Sequence, residues 1–304
     1  MPELPEVQTT ANSLNQLIKG LIIKDVWTDY GGAFHDGKSH IKNKQYFPLF
    51  RRTVVGQRIT GVGRRGKNVL INLSKGDTIL VHMKMTGHLL YGRYEKDGFA
   101  WEAVGEGPLR DDSFNRFIHL VFTLSNGKHL ALSDMRKFAK VCIIKTSELS
   151  QSDDLKNLGP DALDKSFSEK KFRGRLALRL NSKIKQVIMD QTIIAGIGNI
   201  YSDEALWMSD IHPLSTVSKI TNALVTKLYT AIQTVLRKGV DFGGDSMSDY
   251  RTPDGERGLF QLHHKAYGRK GEDCPKKSCR GKIARITIGG RSAHFCDTHQ
   301  KLFK

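Results

Sequence analysis

Cysteine is scarce in this chain, with four residues in 304, too few to brace a fold of this size with disulfides. Long apolar runs are missing as well. No stretch approaches the roughly 18 apolar residues of a membrane span, so no membrane partner is expected. The first residues lack the basic and apolar regions of a secretory signal, and the expectation is an intracellular, cytoplasmic protein. No internal repeat is present. Acidic residues are in deficit: 31 Asp and Glu stand against 48 Lys and Arg, a formal charge of +17. That excess suggests a polyanionic partner, with nucleic acid ahead of an anionic membrane; taken alone it also fits a merely soluble basic protein. The length suffices for two domains with a sizeable core.

What is present comes in two styles. An amphipathic helix is expected over 7–18, from Val7, Ala11, Leu14, Leu17 and Ile18, with Gly20 ending it. Strand-like segments follow at 21–26, 58–62, 68–73, 78–82, 119–124, 129–132 and 141–144, punctuated by Gly, Asn and Asp. Such a series points to a β-sandwich or barrel. The stretches 31–50 and 94–114 read as long loops. After a polar stretch at 146–164 the periodicity turns helical. Ile220, Ala223, Leu224, Leu228, Ala231, Ile232, Val235 and Leu236 mark a long helix, with Gly239 as its stop. The Gly-, Ser- and Asp-rich run at 243–254 reads as mobile, and the last thirty or so residues return to β.

Several short motifs carry possible chemistry. The chain opens Met1-Pro2-Glu3-Leu4-Pro5-Glu6. Removal of Met1 would expose the secondary amine of Pro2, with a reference pKa near ~8, able to attack a sugar aldehyde carbon as a Schiff-base lysine does. Glu3 and Glu6, three apart, would share a helix face and serve as general acid and base. Pro5 is tolerated in a first helical turn. The same six residues also suit an ordinary amphipathic start. Arg64-Arg65-Gly66-Lys67 is a cationic turn between strands, fit for a phosphate or for plain solvation. Ala195-Gly196-Ile197-Gly198-Asn199-Ile200-Tyr201 is not a dinucleotide loop: Tyr201 replaces the third glycine and no strand precedes it. Cys274-x4-Cys279-x16-Cys296-x2-His299 offers three thiolates and an imidazole, a set that suits one closed, structural Zn2+. Strands at 283–288 and 291–295 flank Gly289-Gly290, a good two-residue turn, which would put Arg291 near a hairpin tip, available for a minor groove. Cys142 sits in an apolar run and reads as core.

Taken together, these motifs resemble the bacterial formamidopyrimidine-DNA glycosylases (Fpg), bifunctional base-excision repair enzymes, over nearly the whole chain. The matching residues are Met1 to Val7, Lys67, the His82-Met83-Lys84-Met85-Thr86-Gly87 and Asp134-Met135-Arg136-Lys137-Phe138 motifs, and Lys185 through Glu204. The resemblance implies an α+β fold: an N-terminal two-layer β-sandwich flanked by helices, then a helix–two-turns–helix domain with a C-terminal β-hairpin zinc finger. The expected boundaries are 1–146, a linker at 147–164, 165–262 and 263–304. It implies a monomer acting on damaged double-stranded DNA in a bacterial-type cytoplasm, associated with the nucleoid. The implied catalytic residues are Pro2, Glu3, Glu6 and Lys67. His82, Lys185, Asn199 and Arg291 would meet the DNA backbone or groove. Met85 would fill the gap left by the flipped base, Arg136 would face the orphaned base, and Phe138 would wedge the stack. Glu204 would help bind the flipped nucleotide, and the 243–250 loop would close over it. Two departures stand out: Lys84 replaces a small residue, and His299 replaces a cysteine of the usual four.

Two other readings remain open at this level. An endonuclease VIII-like enzyme would prefer oxidised pyrimidines, against which stand Leu4 and the Arg136–Phe138 pair. A non-catalytic damage-binding protein has no need of Pro2, Glu3 and Lys67, and a nicking assay on a lesion duplex separates it from an enzyme.

Overall fold

The computed structural model describes residues 1–98 and 100–304, the side chain of Ala33 apart. The chain forms two units, Met1–Lys156 with Phe242–Leu259, and Asn157–Asp241 with Phe260–Lys304. No helix among the described residues is long and apolar enough to cross a membrane.

In the first unit the leading helix α1 spans Leu4–Ile18 and buries Leu4, Val7, Thr10, Ala11, Leu14 and Ile18. This is the i, i+3, i+4, i+7 stripe expected of a helix lying on a core. Ten strands follow: β1 Ile23–Thr28, β2 Ile59–Arg65, β3 Asn68–Leu73, β4 Asp77–His82, β5 His88–Gly92, β6 Tyr94–Asp97, β7 Ala100–Ala103, β8 Ile118–Leu124, β9 His129–Ser133 and β10 Lys140–Lys145. Eight of them make two four-stranded antiparallel sheets, ordered β1-β8-β9-β5 and β10-β4-β3-β2, and β6 pairs with β7 apart from these. Phe122 and Leu132 from one sheet meet Val69, Ile71, Val81 and Val141 from the other, with Val7, Leu14 and Ile18 of α1 in the same core. The expected two-layer sandwich flanked by helices is therefore present.

Three features depart from the sequence reading. Strand β5, all five of whose residues are buried, was not foreseen. The stretch 94–114 is not a long loop. It folds into the β6–β7 hairpin, a short helix α3 (Pro108–Asp111; α2 is Tyr46–Val54) and a 3₁₀ turn at Ser113–Arg116, its apolar residues packing as Tyr94, Trp101 and Leu109 beside Leu90 and Val121. The other presumed loop, 31–50, gives way at Tyr46 to helix α2, Tyr46–Val54, which buries Phe50 and Val54.

The second unit holds α4 (Glu169–Leu176), α5 (Ile184–Met189), α6 (Asn199–Met208) and α7 (Asn222–Asp241), then a β11–β12 hairpin, Ile283–Ile288 with Arg291–Cys296. Gly239 does not end α7, which runs on to Asp241. Its lack of a side chain serves packing: a Cβ there would lie 2.5 Å from the Tyr201 ring. Gly289 and Gly290 make the expected tight turn, both with positive φ (+55° and +74°), the primed geometry that suits a right-twisted hairpin.

Candidate active site and nucleic-acid interface

The N-terminus builds the first part of the site. Glu3 is not on the helix but caps it, with φ −96° and ψ −168°. Glu6, in the first turn, reaches back so that its Oε2 accepts the Glu3 N–H at 2.7 Å. Its Oε1 accepts the N–H of Asp245 at 2.8 Å, and the Tyr250 hydroxyl donates to the Glu6 carbonyl at 3.1 Å. The two carboxylates are thus brought together, both buried, by capping rather than by a shared helix face. Acidic groups suit this end because the helix N-terminus carries partial positive charge. The 243–250 loop, expected to be mobile, is fastened to the same helix end. Within it, Ser246 Oγ donates to Tyr250 O and accepts from Gly258 N. Burial pushes the Tyr250 phenol well above its ordinary range.

Lys67 follows the β2–β3 turn at Gly66, φ +56°. It is only 6% exposed, so it is no solvated hairpin tip. Arg64 of the same turn donates to Gln8 Oε1 at 2.7 Å, fastening the turn to α1 two residues beyond Glu6.

Two loops at the ends of β4 and β9 carry the expected DNA-facing residues. His82 is half-buried, and its Nδ1 accepts the Lys84 N–H at 3.0 Å. Burial first, then the Lys84 and Lys67 ammonium groups, lower its pKa to about 3. The ring is therefore neutral at physiological pH and, with Nδ1 accepting, carries its proton on Nε2, a donor suited to a phosphate oxygen. Lys84, which stands where a small residue is usual, takes the left-handed conformation at φ +56°, which costs a non-glycine residue roughly 1–2 kcal/mol. Gly87 has no such freedom to change, since a Cβ would lie 2.5 Å from the Met83 carbonyl oxygen. Met85 is half-buried and lines a cavity that Phe138 also lines. Arg136 and Phe138 are exposed, the guanidinium stacked 4.5 Å from the phenyl centroid.

What holds these loops is a group that the sequence reading passed over. Asp134 is fully buried. Its carboxylate accepts the Thr86 hydroxyl at 2.5 Å, the Tyr30 hydroxyl at 3.1 Å and the Ala139 N–H at 2.7 Å. Thr86 in turn accepts the Arg136 N–H at 3.1 Å. Lys42 donates to the Lys137 carbonyl at 2.6 Å. Burial and the Asp134 charge together raise the Tyr30 phenol far above its usual range, so it remains a donor. No sequence signal marks Asp134, because its burial comes from the fold, and a carboxylate buried in this way demands donors.

In the second unit two expectations are corrected. Lys185 is not held out to a phosphate: it is 1% exposed, with its ammonium 2.5 Å from Asp203 Oδ1 and 2.6 Å from Ser292 O. The other oxygen of Asp203 accepts the His294 backbone N–H at 2.8 Å. A charge this deep must be paired, and the pair locks α5 and α6 to β12. Glu204 is likewise interior. Its carboxylate accepts the backbone N–H groups of Lys265, Ala266 and Tyr267 at 2.8–2.9 Å, and burial raises its pKa despite those bonds. It pins the turn at 265–267 that precedes the hairpin. Asn199, the first residue of α6, is half-buried, and its amide donates to Ser292 Oγ at 3.2 Å. Arg291 sits at the hairpin tip, paired in register with Ile288, and is exposed.

Cys274, Cys279, Cys296 and His299 converge, with one ligand atom from each lying within 4.8 Å of the others. Cys274 Sγ is 3.4 Å and Cys279 Sγ 3.7 Å from His299 Nδ1, and Cys279 and Cys296 sulfurs are 3.6 Å apart. A tetrahedral zinc with ordinary bond lengths gives edges of about 3.5–3.8 Å, so the residues fit that ion. His299 Nε2 faces the Trp207 carbonyl at 3.2 Å, which fixes the tautomer that leaves Nδ1 for the metal. The Gly281 and Thr298 amides donate to Cys279 and Cys296 sulfurs. The cluster has no open position and is structural.

Comparisons with known proteins agree with this geometry. Residues 1–141 match the Formamidopyrimidine-DNA glycosylase N-terminal domain, and residues 158–251 the Formamidopyrimidine-DNA glycosylase H2TH domain. The chain is 35% identical over 302 residues to the formamidopyrimidine-DNA glycosylase of Pelotomaculum thermopropionicum, covering 99% of this chain and 100% of that one. It is 34% identical to the Bacillus subtilis enzyme over 296 residues, 97% and 98% of the two chains. Among solved structures, Lactococcus lactis Fpg with abasic-site DNA superposes with a TM-score of 0.81 at 28% identity, covering 98% of this chain and 99% of that one. A variant of that protein with Fapy-dG DNA gives 0.82 at 28%, covering 99% and 100%. On full-length similarity and on the site built above, the chain belongs to the formamidopyrimidine-DNA glycosylase family.

Proposed function

We propose that this protein is a bifunctional DNA glycosylase and AP lyase that excises oxidised purines, 8-oxoguanine and formamidopyrimidines, from duplex DNA. The carrying observation is the pair of buried carboxylates, Glu3 and Glu6, beside Pro2 at the N-terminus of α1. The complexes of Lactococcus lactis Fpg with abasic-site and Fapy-dG DNA support damaged DNA as substrate. The damaged nucleotide leaves the stack so that its sugar can be reached. With Met1 removed, the Pro2 nitrogen attacks the anomeric carbon, and the bond to the base breaks. Glu3 protonates the ring oxygen, the sugar opens, and an iminium forms. That cation acidifies the neighbouring carbon: loss of its proton expels the 3′ phosphate, and a second elimination expels the 5′ phosphate. Glu6, with each oxygen accepting a backbone N–H, acts by positioning the terminus. Lys67 stands near the lesion and its phosphate.

His82, Asn199 and Arg291 meet the backbone and groove, while Met85, Arg136 and Phe138 occupy the vacated stack. Lys185 and Glu204 serve this surface indirectly, by holding the hairpin and its lead-in. Zinc supports the hairpin, and no redox or organic cofactor takes part. The protein works as a monomer, with the chromosome in the cytoplasm. Borohydride trapping on an 8-oxoguanine duplex tests the reading. Protein lacking Met1 is expected to form a covalent adduct and to nick the strand. Equal trapping by protein shown by mass to retain Met1 would remove Pro2 from the mechanism, and preference for oxidised pyrimidines over purines in a lesion panel would favour the endonuclease VIII reading.

A further inference from the structure

One aromatic has no part in the mechanism above. Phe34 is 82% exposed, the most open of the large apolar side chains recorded among the described residues. It lies on a single 3₁₀ turn, Ala33–His35, between β1 and α2. Its ring has cations and imidazoles for neighbours: Lys38 Nζ is 4.4 Å from its centroid, and the His35 ring meets it edge-on at 5.1 Å. Phe34 and His35 line a cavity of about 480 Å³ together with Lys42, Lys84, Met85, Lys137, Phe138 and Met1, whose removal opens it further. The cationic wall of this cavity is tied to the wedge loop through Lys42. Lys42 donates to the Lys137 carbonyl and lies 5.4 Å from the centroid of Tyr30, whose hydroxyl donates to Asp134. The cavity therefore has aromatic and thioether walls and an ammonium rim of Lys42, Lys84 and Lys137, with Lys38 beside Phe34. The nearby acid Asp29 is already paired with Lys137 and His119.

We infer that Phe34 is a second stacking platform, one that takes a nucleobase of the undamaged strand next to the step opened by Phe138. The inference rests on the proposal that this chain binds lesion duplexes. Charge complementarity selects the occupant: a base offers a flat π-face to the ring while its phosphate meets the lysines, the pairing by which aromatic residues and cations hold unstacked strands. Phe34 being exposed, its replacement leaves the core intact.

Binding is measured on paired duplexes, one with a tetrahydrofuran abasic analogue and one undamaged, each carrying 2-aminopurine beside the base opposite the lesion position. Phe34→Ala is expected to weaken binding of the abasic duplex about 5- to 100-fold, to abolish the 2-aminopurine fluorescence change that wild type produces, and to leave the undamaged duplex unaffected. Phe34→Trp is expected to restore both signals. Wild-type affinity and fluorescence in Phe34→Ala, or equal weakening on both duplexes, overturns the platform. So does loss of binding to an acidic peptide in Phe34→Ala with duplex binding intact, which would assign the cavity to a protein partner. Failure of wild type to prefer the abasic duplex defeats the parent proposal instead, and is read from the same titration.

Discussion

Replacing Asp134 by alanine removes one carboxylate and strands three donors. In the folded protein the Thr86 and Tyr30 hydroxyls and the Ala139 amide all end on it, and no part of the side chain reaches solvent. A buried donor left without an acceptor costs about 1–3 kcal/mol. Some of that returns if a water enters the space and accepts from two of the three. The expected net loss for Asp134→Ala is about 3–6 kcal/mol, a large share of the roughly 5–15 kcal/mol that holds a domain. Asp134→Asn keeps one acceptor oxygen but turns an NH2 toward donors, and should cost roughly half as much. Tyr30→Phe removes a donor together with its demand, and should cost about 1 kcal/mol. Urea unfolding of each variant, followed by tryptophan fluorescence, gives the stabilities. Lesion-duplex affinity, measured well below the midpoint, reports the loops separately. Because Thr86 accepts the Arg136 amide, Asp134→Asn should weaken lesion binding while the protein is still folded. A loss below about 1 kcal/mol in Asp134→Ala, with lesion binding unchanged, would refute the idea that this carboxylate organises the loops.

Three further outcomes are expected. Arg136 presents a donor fork that suits the two neighbouring acceptors of cytosine better than the mixed edge of adenine, so Arg136→Ala should lose about ten- to a hundredfold of the cytosine-over-adenine preference, whereas Phe138→Ala slows excision opposite both. Single-turnover rates on the two 8-oxoguanine duplexes decide, and an unchanged ratio in Arg136→Ala assigns that residue to the backbone. Metal analysis should find one zinc per chain; His299→Cys should keep it and Cys296→Ala should lose it, with DNA affinity falling before the first unit unfolds. Acid should destabilise the first unit. Burial lowers His88 to about 4 and His82 to about 3, so the unfolded chain binds their protons first, and stability falls as pH drops from about 6.5 toward those values. His88→Gln should flatten unfolding free energy against pH in that window, and an unchanged slope would remove His88 as a source of acid sensitivity.

Much of this protein is settled by local sequence. The periodicity of α1 fixes its type because one face of the helix lies on a core, and most sandwich strands are legible as short apolar runs punctuated by Gly, Asn and Asp. Gly289-Gly290 dictates a primed turn through its backbone freedom alone, and with it the exposure of Arg291. The spacing of Cys274, Cys279, Cys296 and His299 announces a metal because three thiolates and an imidazole so close together in sequence suit a closed tetrahedral ion. Other features depend on partners far away in the chain. Strand β5 is buried on both faces and carries no period to read. Gly239 looks like a helix stop until Tyr201 is seen packed where its side chain would be. Lys185 and Glu204 look like surface ligands for DNA. Only the arrival of Asp203, Ser292 and the 265–267 backbone turns them into interior fasteners. The same holds for Asp134, whose three donors come from residues 30, 86 and 139. The physical reason is common to all of these. Periodicity and turn chemistry act between neighbours in sequence, whereas the state of a buried charge is decided by the groups the fold brings to it.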